Sequence, residues 1–241
     1  MSNHSIAFAQ LDQMFIFLSG VSLIIPIIGP DNNSYDTVVF SYIVGSVHDS
    51  ELRFTLGWVR DVVTFILPAE SPMETLVEMN LTRSIGVSNF NIQLPRDLLC
   101  HVRIPPAVLQ IEHHPFLTQQ RLVNYTQRQA ICVTAYCSFG PQSSVAGKLK
   151  DASFYPSLLE QLAIKKIEKG HGKTPSQVLL RGSTQRGIAV IPKGRGLLHM
   201  QQNLEMDWSL TFKELQCISL SDQGKRFYDP VEHGFDLPVF E

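Results

Sequence analysis

The sequence predicts an α/β fold built on parallel strands, and three observations predict it. Four short apolar runs each end in polar residues: Arg83–Phe90 (RSIGVSNF), Ala107–Pro115 (AVLQIEHHP), Ile131–Gly140 (ICVTAYCSFG) and Gly187–Gly194 (GIAVIPKG). Such runs read as strands covered on both faces rather than as half-exposed strands, which alternate. The first three recur about every 24 residues with helical patterning between them. That is the repeat of strand-plus-helix units in a barrel of parallel strands, where chemistry gathers at the carboxyl ends of the strands.

Taken in order, the elements support this reading. After the break Ser71-Pro72-Met73, a helical piece over Glu74–Asn80 leads into the first polar-ended strand. Asn91–Val102 carries apolar positions at Ile92, Leu94, Leu98 and Leu99, with Pro95 in the first turn of a helix. Thr118–Arg128 reads as the next helix, with Thr118 as its cap. Thr174-Pro175 is a cap followed by proline at the first helical position, opening a helix through Val178, Leu179 and Leu180 to Arg186, and Gly187 stops it. From Asp222 the sequence is rich in Gly, Pro and aromatics and predicts an ordered loop rather than a helix.

Composition narrows the function classes. The chain has 241 residues, 44% hydrophobic and 17% charged, enough for one sizeable core. A formal net charge of -2 supplies no basic face for a nucleic-acid backbone, so no nucleic-acid partner is expected. Met14–Gly29 is strongly apolar but is interrupted by Pro26 and has no basic residue before it. It predicts buried strands or an apolar tail rather than a membrane span or signal peptide. Residues 1–52 contain no Lys or Arg, a composition break that sets the first fifth apart. Cys100, Cys132, Cys137 and Cys217 form no CxxC pair, and Cys132 and Cys137 lie in or beside a strand run, where buried thiols are expected. A reducing, cytoplasmic setting fits this usage.

Several residues at the strand ends invite a ligand. Ser88, Asn89 and Gln110 end adjacent apolar runs, and a carboxamide such as that of nicotinamide offers the acceptor and donors which side-chain amides and a hydroxyl match. Taken singly, each serves equally well as a hydrogen-bonding cap of the rim. Tyr136, at the next strand end, can stack on a flat ring or simply fill the core. The turn Gly140-Pro141-Gln142-Ser143-Ser144 offers backbone donors and hydroxyls to a diphosphate, or is an ordinary loop. Lys193 with Gly194-Arg195-Gly196 makes a small cationic loop ahead of a helix, suited to a phosphate or to solvent. Glu112-His113-His114 suggests a metal, but adjacent histidines rarely converge on one ion and no partner has suitable spacing, so no metal is expected. No GxSxG elbow supports acyl transfer.

Together SIGVSNF, VLQIEHHP, TAYCSFGPQS, KTPSQVLLR, RGIAVIPK and the RFYDP tail resemble the aldo-keto reductase family, and within it the fungal NAD(P)H-dependent D-xylose reductases, from Asp49 to Glu241. Residues 1–48 have no counterpart in this resemblance. It implies a (β/α)8 TIM barrel, here with about five of the eight units recognisable, that binds NADPH or NADH at its carboxyl rim. By the same resemblance, Ser88, Asn89 and Gln110 hold the carboxamide and Tyr136 stacks on the nicotinamide. Ser138, Phe139, Gly140, Gln142 and Ser143 hold the diphosphate. Lys193 falls at the adenosine 2′-phosphate, Arg195, Gln202 and Asn203 belong to the same phosphate-binding region, and Ile191 is a further cofactor-binding residue. The implied partner is a small carbonyl compound, and the chain is expected as a monomer or homodimer.

The sequence also departs from the family. The aspartate, tyrosine, lysine and histidine that carry the family's chemistry have no counterpart; Asp49–Trp58 resembles the loop after the family's fourth strand, so Val38–Ser41 is expected as a remnant of that strand and the histidine position falls on Phe40 or Ser41. About seven residues are missing between Met73 and Glu74. Gly182 replaces a tryptophan, His199 replaces an arginine, and Tyr228 replaces an asparagine associated with sugar hydroxyls. The expected function is therefore that of an NAD(P)H-dependent carbonyl reductase by descent, inactive in the standard mechanism. Two alternatives stand beside it. One is a tailoring oxidoreductase of secondary metabolism that draws an acid from Tyr35 or Tyr42, and the other a non-catalytic nucleotide-binding module.

Overall fold

The computed structural model describes residues 73–140, 156–194 and 196–229, with the backbone of two further strands. These strands are β1 (Ile25–Ile28) and β2 (Tyr35–Ser41). A helix over 73–78, α1, precedes β3 (Thr82–Ser88). There follow α2 (Gln93–Leu98), β4 (Val108–Glu112), α3 (Gln120–Arg128) and β5 (Cys132–Tyr136). After a 3-10 turn at Leu158–Glu160 come α4 (Leu162–His171), α5 (Pro175–Thr184) and β6 (Ile188–Val190). The last helices are α6 (Leu197–Leu204) and α7 (Phe212–Ser219).

The six strands form one sheet in the order β1-β2-β3-β4-β5-β6. β1 runs antiparallel to β2, and β2 to β6 are parallel throughout. All four runs expected as strands are strands, and Val38–Ser41 forms the end of β2, with Ser41 opposite Ser88. Five parallel strands with helices between them make a partial (β/α) barrel.

Strand parity sorts the side chains of β3–β6 into two faces, because successive residues point to opposite sides of a strand. Val87, Leu109, Ile111, Val133, Ala135, Ile188 and Val190 share a buried cluster with Leu98 of α2, Leu122 and Val123 of α3 and Leu180 of α5. The opposite parity carries Ser88, Gln110, Glu112, Thr134 and Tyr136, and the register aligns Ser88, Gln110 and Thr134 in one row. A second cluster, including Phe116, Leu158, Ile164, Leu179, Ile218 and Phe227, lies among α4, α5, α7 and the carboxyl-terminal segment. Phe139 packs against both clusters.

Three helix starts follow local chemistry. The Asn91 Oδ1 accepts from the N–H groups of Gln93 and Leu94 at 3.0 and 3.2 Å, opening α2 with Pro95 in its first turn. Thr174 and Gln177 form a reciprocal capping box on α5, and Thr211 with Glu214 does the same on α7. Gly187, at φ 73°, stops the chain after α5 as expected.

Two local expectations fail. Thr118 does not cap α3: its hydroxyl donates to the carboxylate of Asp222, and the cap position is Gln119, left-handed at φ 44° with no side-chain capping bond. A long-range partner has outbid the local one. Cys132 is exposed and Cys137 half-buried rather than both buried; Cys132 opens β5 on the parity opposite the helix-packed residues Val133 and Ala135.

The space left at Gly182 is partly closed by Ile218, whose Cδ1 lies 3.4 Å from where a Cβ would stand. At Gly140 the opposite holds: φ is 59° and a Cβ would meet the Leu158 Cδ1 at 2.5 Å. Gly182→Ala should therefore stabilise the chain by up to about 1 kcal/mol through helix propensity. Gly140→Ala should destabilise it by roughly 1–3 kcal/mol through left-handed strain and overpacking. Urea denaturation midpoints moving in opposite directions would verify the pair.

Candidate cofactor-binding rim

The rim is built by three adjacent strand ends. Directly after β3 and β5 the chain turns left-handed, at Asn89 and Cys137, both with φ 59°. Asn89 is a residue type that tolerates this region. Its N–H donates to the carbonyl of Gln110 at 2.8 Å, which locks the end of β3 to β4. The Tyr136 hydroxyl donates to the Asn89 Oδ1 at 2.8 Å, which locks β5 to the same corner. Ser88 and Gln110 are buried side by side. Thus Ser88, Asn89, Gln110 and Tyr136 come together.

Burial, and after it the Glu112 carboxylate, push the Tyr136 phenol well above its ordinary pKa. Part of Tyr136 still meets solvent. Its ring centroid lies 5.8 Å from that of Tyr228, with the planes at 80°, an edge-to-face contact.

Level with Tyr136 in the register, the Glu112 side chain is fully enclosed. Its carboxylate accepts the N–H of Phe227 at 2.8 Å and the N–H of Tyr228 at 3.1 Å. The His114 Nε2 lies 2.9 Å away and the Arg226 guanidinium 3.8 Å away. An acceptor-only carboxylate requires donors, so the His114 Nε2 carries the hydrogen in this pair; the buried Nδ1 has no partner among the described residues. The Glu112 carbonyl receives the Gln119 side-chain amide at 2.6 Å. Segment 222–228 is held further by N–H groups of Gln223 and Lys225 on the carbonyl of Phe116 at 3.1 and 3.0 Å.

The remaining rim residues are more dispersed. The Ser138 hydroxyl contacts the Ala135 carbonyl at 3.5 Å. The N–H of Gly140 is engaged by the Cys137 carbonyl at 2.7 Å, so that donor serves the turn itself. Phe139 spends its ring on packing. Gln142, Ser143 and Arg195 lie outside the described residues. Beyond β6, Ile191 is half-buried and Lys193 exposed. Asn203 is buried in α6, and the Gln202 carbonyl accepts from the Gln177 side chain at 3.0 Å. Tyr35 is aligned with Thr82, at the opposite end of the sheet from the Ser88 rim, and Tyr42 lies outside the described residues. Among the described residues no three His, Cys, Asp or Glu side chains are grouped to hold a metal.

Sequence reasoning missed the central role of Glu112 and the contact of Tyr228. A signal was present: a carboxylate on a buried strand needs several donors, and its own strand cannot supply them.

His113 is also buried, with the Ser183 hydroxyl 3.4 Å from its Nδ1. Desolvation, then the neighbouring His114 and Arg186, lower its pKa from 6.5 to about 4, while Asp222 acts weakly the other way. The unfolded chain binds this proton as pH falls below 6.5 and the folded chain resists it until about 4. Stability from His113 is therefore present above pH 6.5 and lost on acidification, by on the order of 3 kcal/mol at pH 4. Thermal melts over this range should show a steeper acid loss for the wild type than for His113→Asn.

The Aldo/keto reductase family profile matches residues 36–217. The chain is 54% identical over 199 residues to a probable NAD(P)H-dependent D-xylose reductase of Aspergillus flavus, covering 80% of this chain and 62% of the relative. It is 47% identical over 199 residues to the corresponding Aspergillus niger protein, with the same coverage. A Bombyx mori aldo-keto reductase in complex with NADP superimposes with a TM-score of 0.66 at 27% identity, covering 82% of this chain and 60% of that one. The chain thus spans about three-fifths of the length of these relatives. No helix among the described residues is long and apolar enough to cross a membrane. With parallel strands and alternating helices on one side and a family match over three-quarters of the chain on the other, the chain belongs to the aldo/keto reductase family.

Proposed function

We propose that this chain binds NADPH or NADH at the β3–β4–β5 rim and does not itself reduce a carbonyl. The observation that carries the reading is the corner at which the buried Ser88 and Gln110 stand in one row beside an Asn89 that holds the Tyr136 hydroxyl. These groups fit a carboxamide: Gln110 and Asn89 are amides with both donors and acceptors, Ser88 adds a hydroxyl, and Tyr136 brings a flat ring. The curated relatives named NAD(P)H-dependent reductases and the neighbour solved with NADP lend support. In this reading the turn from Ser138 to Ser143 receives the diphosphate. Lys193, Arg195, Gln202 and Asn203 receive the adenosine end, with Ile191 beside them.

Reduced nicotinamide supplies a hydride when bound; the chain's own residues must then supply a proton to the carbonyl oxygen. Tyr136 is poorly suited to do so. Its hydroxyl is already given to Asn89, and its raised pKa makes it a weaker acid rather than a stronger one. Small carbonyl compounds remain the ligand class suggested by the relatives' names.

Fluorescence titration of the purified chain should show saturable NADPH binding, weakened about tenfold by Tyr136→Ala. Mixing the chain, NADPH and xylose or a simple aldehyde should give no aldehyde-dependent NADPH oxidation. Oxidation that requires aldehyde and disappears in Tyr136→Ala would overturn the non-catalytic part of the proposal.

A further inference from the structure

We propose that segment 222–228 is a positioning strap for the ring platform: Tyr228, tethered through its backbone N–H to Glu112, sets the attitude of the Tyr136 ring that receives nicotinamide. The inference rests on the nicotinamide reading above. Three observations carry it.

The strap is anchored at separate points, by Asp222 on Thr118, by two N–H groups on the Phe116 carbonyl and by the N–H groups of Phe227 and Tyr228 on Glu112. The last of these anchors sits at the residue whose ring meets Tyr136. Tyr136 itself is held at its far end by Asn89, 2.8 Å from the hydroxyl. A ring held at its Cβ and at its hydroxyl can still turn about the axis that joins them. The 80° contact with Tyr228, at a centroid separation of 5.8 Å, removes that freedom before any ligand arrives, and ordering completed in advance need not be subtracted from binding. Glu112 and Tyr228 are thus positioning residues that act through Tyr136.

Fragment binding to the full chain tests this. The probes are NADPH, reduced nicotinamide mononucleotide, which carries only the ring half, and 2′-phospho-ADP-ribose, which lacks only the nicotinamide ring. Tyr228→Ala should weaken NADPH and the mononucleotide by about threefold to tenfold and leave 2′-phospho-ADP-ribose unchanged. Tyr228→Phe, which keeps the ring, should retain wild-type binding of the ring half. Tyr228→Leu keeps apolar bulk without an aromatic plane and should repeat the alanine result even if the alanine variant folds poorly. Glu112→Gln should shift the same two probes in the same direction. Equal losses on the mononucleotide and on 2′-phospho-ADP-ribose, or no loss in Tyr228→Ala and Tyr228→Leu, would overturn the strap while leaving the cofactor reading intact. A wild-type chain that binds none of the probes would overturn both.

Discussion

The enclosed carboxylate of Glu112 is the constraint to which the rest of the rim answers. An ionised carboxyl group removed from water is tolerated only when donors surround it, and β4 cannot provide them. They come from Phe227 and Tyr228, more than a hundred residues later in the chain, and from His114 two residues away. Ordering that return carries a loop-closure entropy that grows slowly with length, so several anchors at Thr118, Phe116 and Glu112 can hold it together. One side chain therefore links the sheet, the β4–α3 connection and the carboxyl-terminal segment.

Parity explains how the same strands serve packing and binding. The residues that face α2, α3 and α5 are apolar almost without exception, whereas the alternate residues become polar toward the carboxyl ends. A one-residue slip in register would send Ser88, Gln110 and Glu112 into the helix layer and Val87, Leu109 and Ile111 onto the rim. The burial of seven aliphatic and alanine side chains on one face opposes that slip, and so the hydrophobic layer also fixes which polar groups meet at the rim.

What was legible in the sequence is what local chemistry decides. The strands were legible as apolar runs between helices, and α5 as Thr174-Pro175 followed by an apolar stripe. Asn89, Gln110 and Tyr136 were legible as polar residues in places where the core should continue. Distant partners were not legible. Thr118 has the look of a cap, yet Asp222 takes its hydroxyl. Cys132 lies in an apolar run, yet its parity turns it away from the helices. Gly182 stands in the place of a tryptophan, yet Ile218 from α7 packs against it. In the turn after β5, hydroxyls and amides suggested free donors, but the Gly140 amide closes the turn on Cys137. Each of these depends on a contact or an orientation that no short window of sequence contains.

The separation between Glu112 and its strap also sets an order of events during synthesis. At roughly 5–20 residues per second, the ribosome makes Phe227 and Tyr228 on the order of ten seconds after Glu112. In that interval the β3–β4–β5 unit can form its ladder and begin to cover its helix-facing side, while the Glu112 carboxylate keeps its hydration in place of the absent amides. The rim of the nascent chain is thus wet and loosely held at first, and its last polar group is desolvated only when the strap arrives to close it.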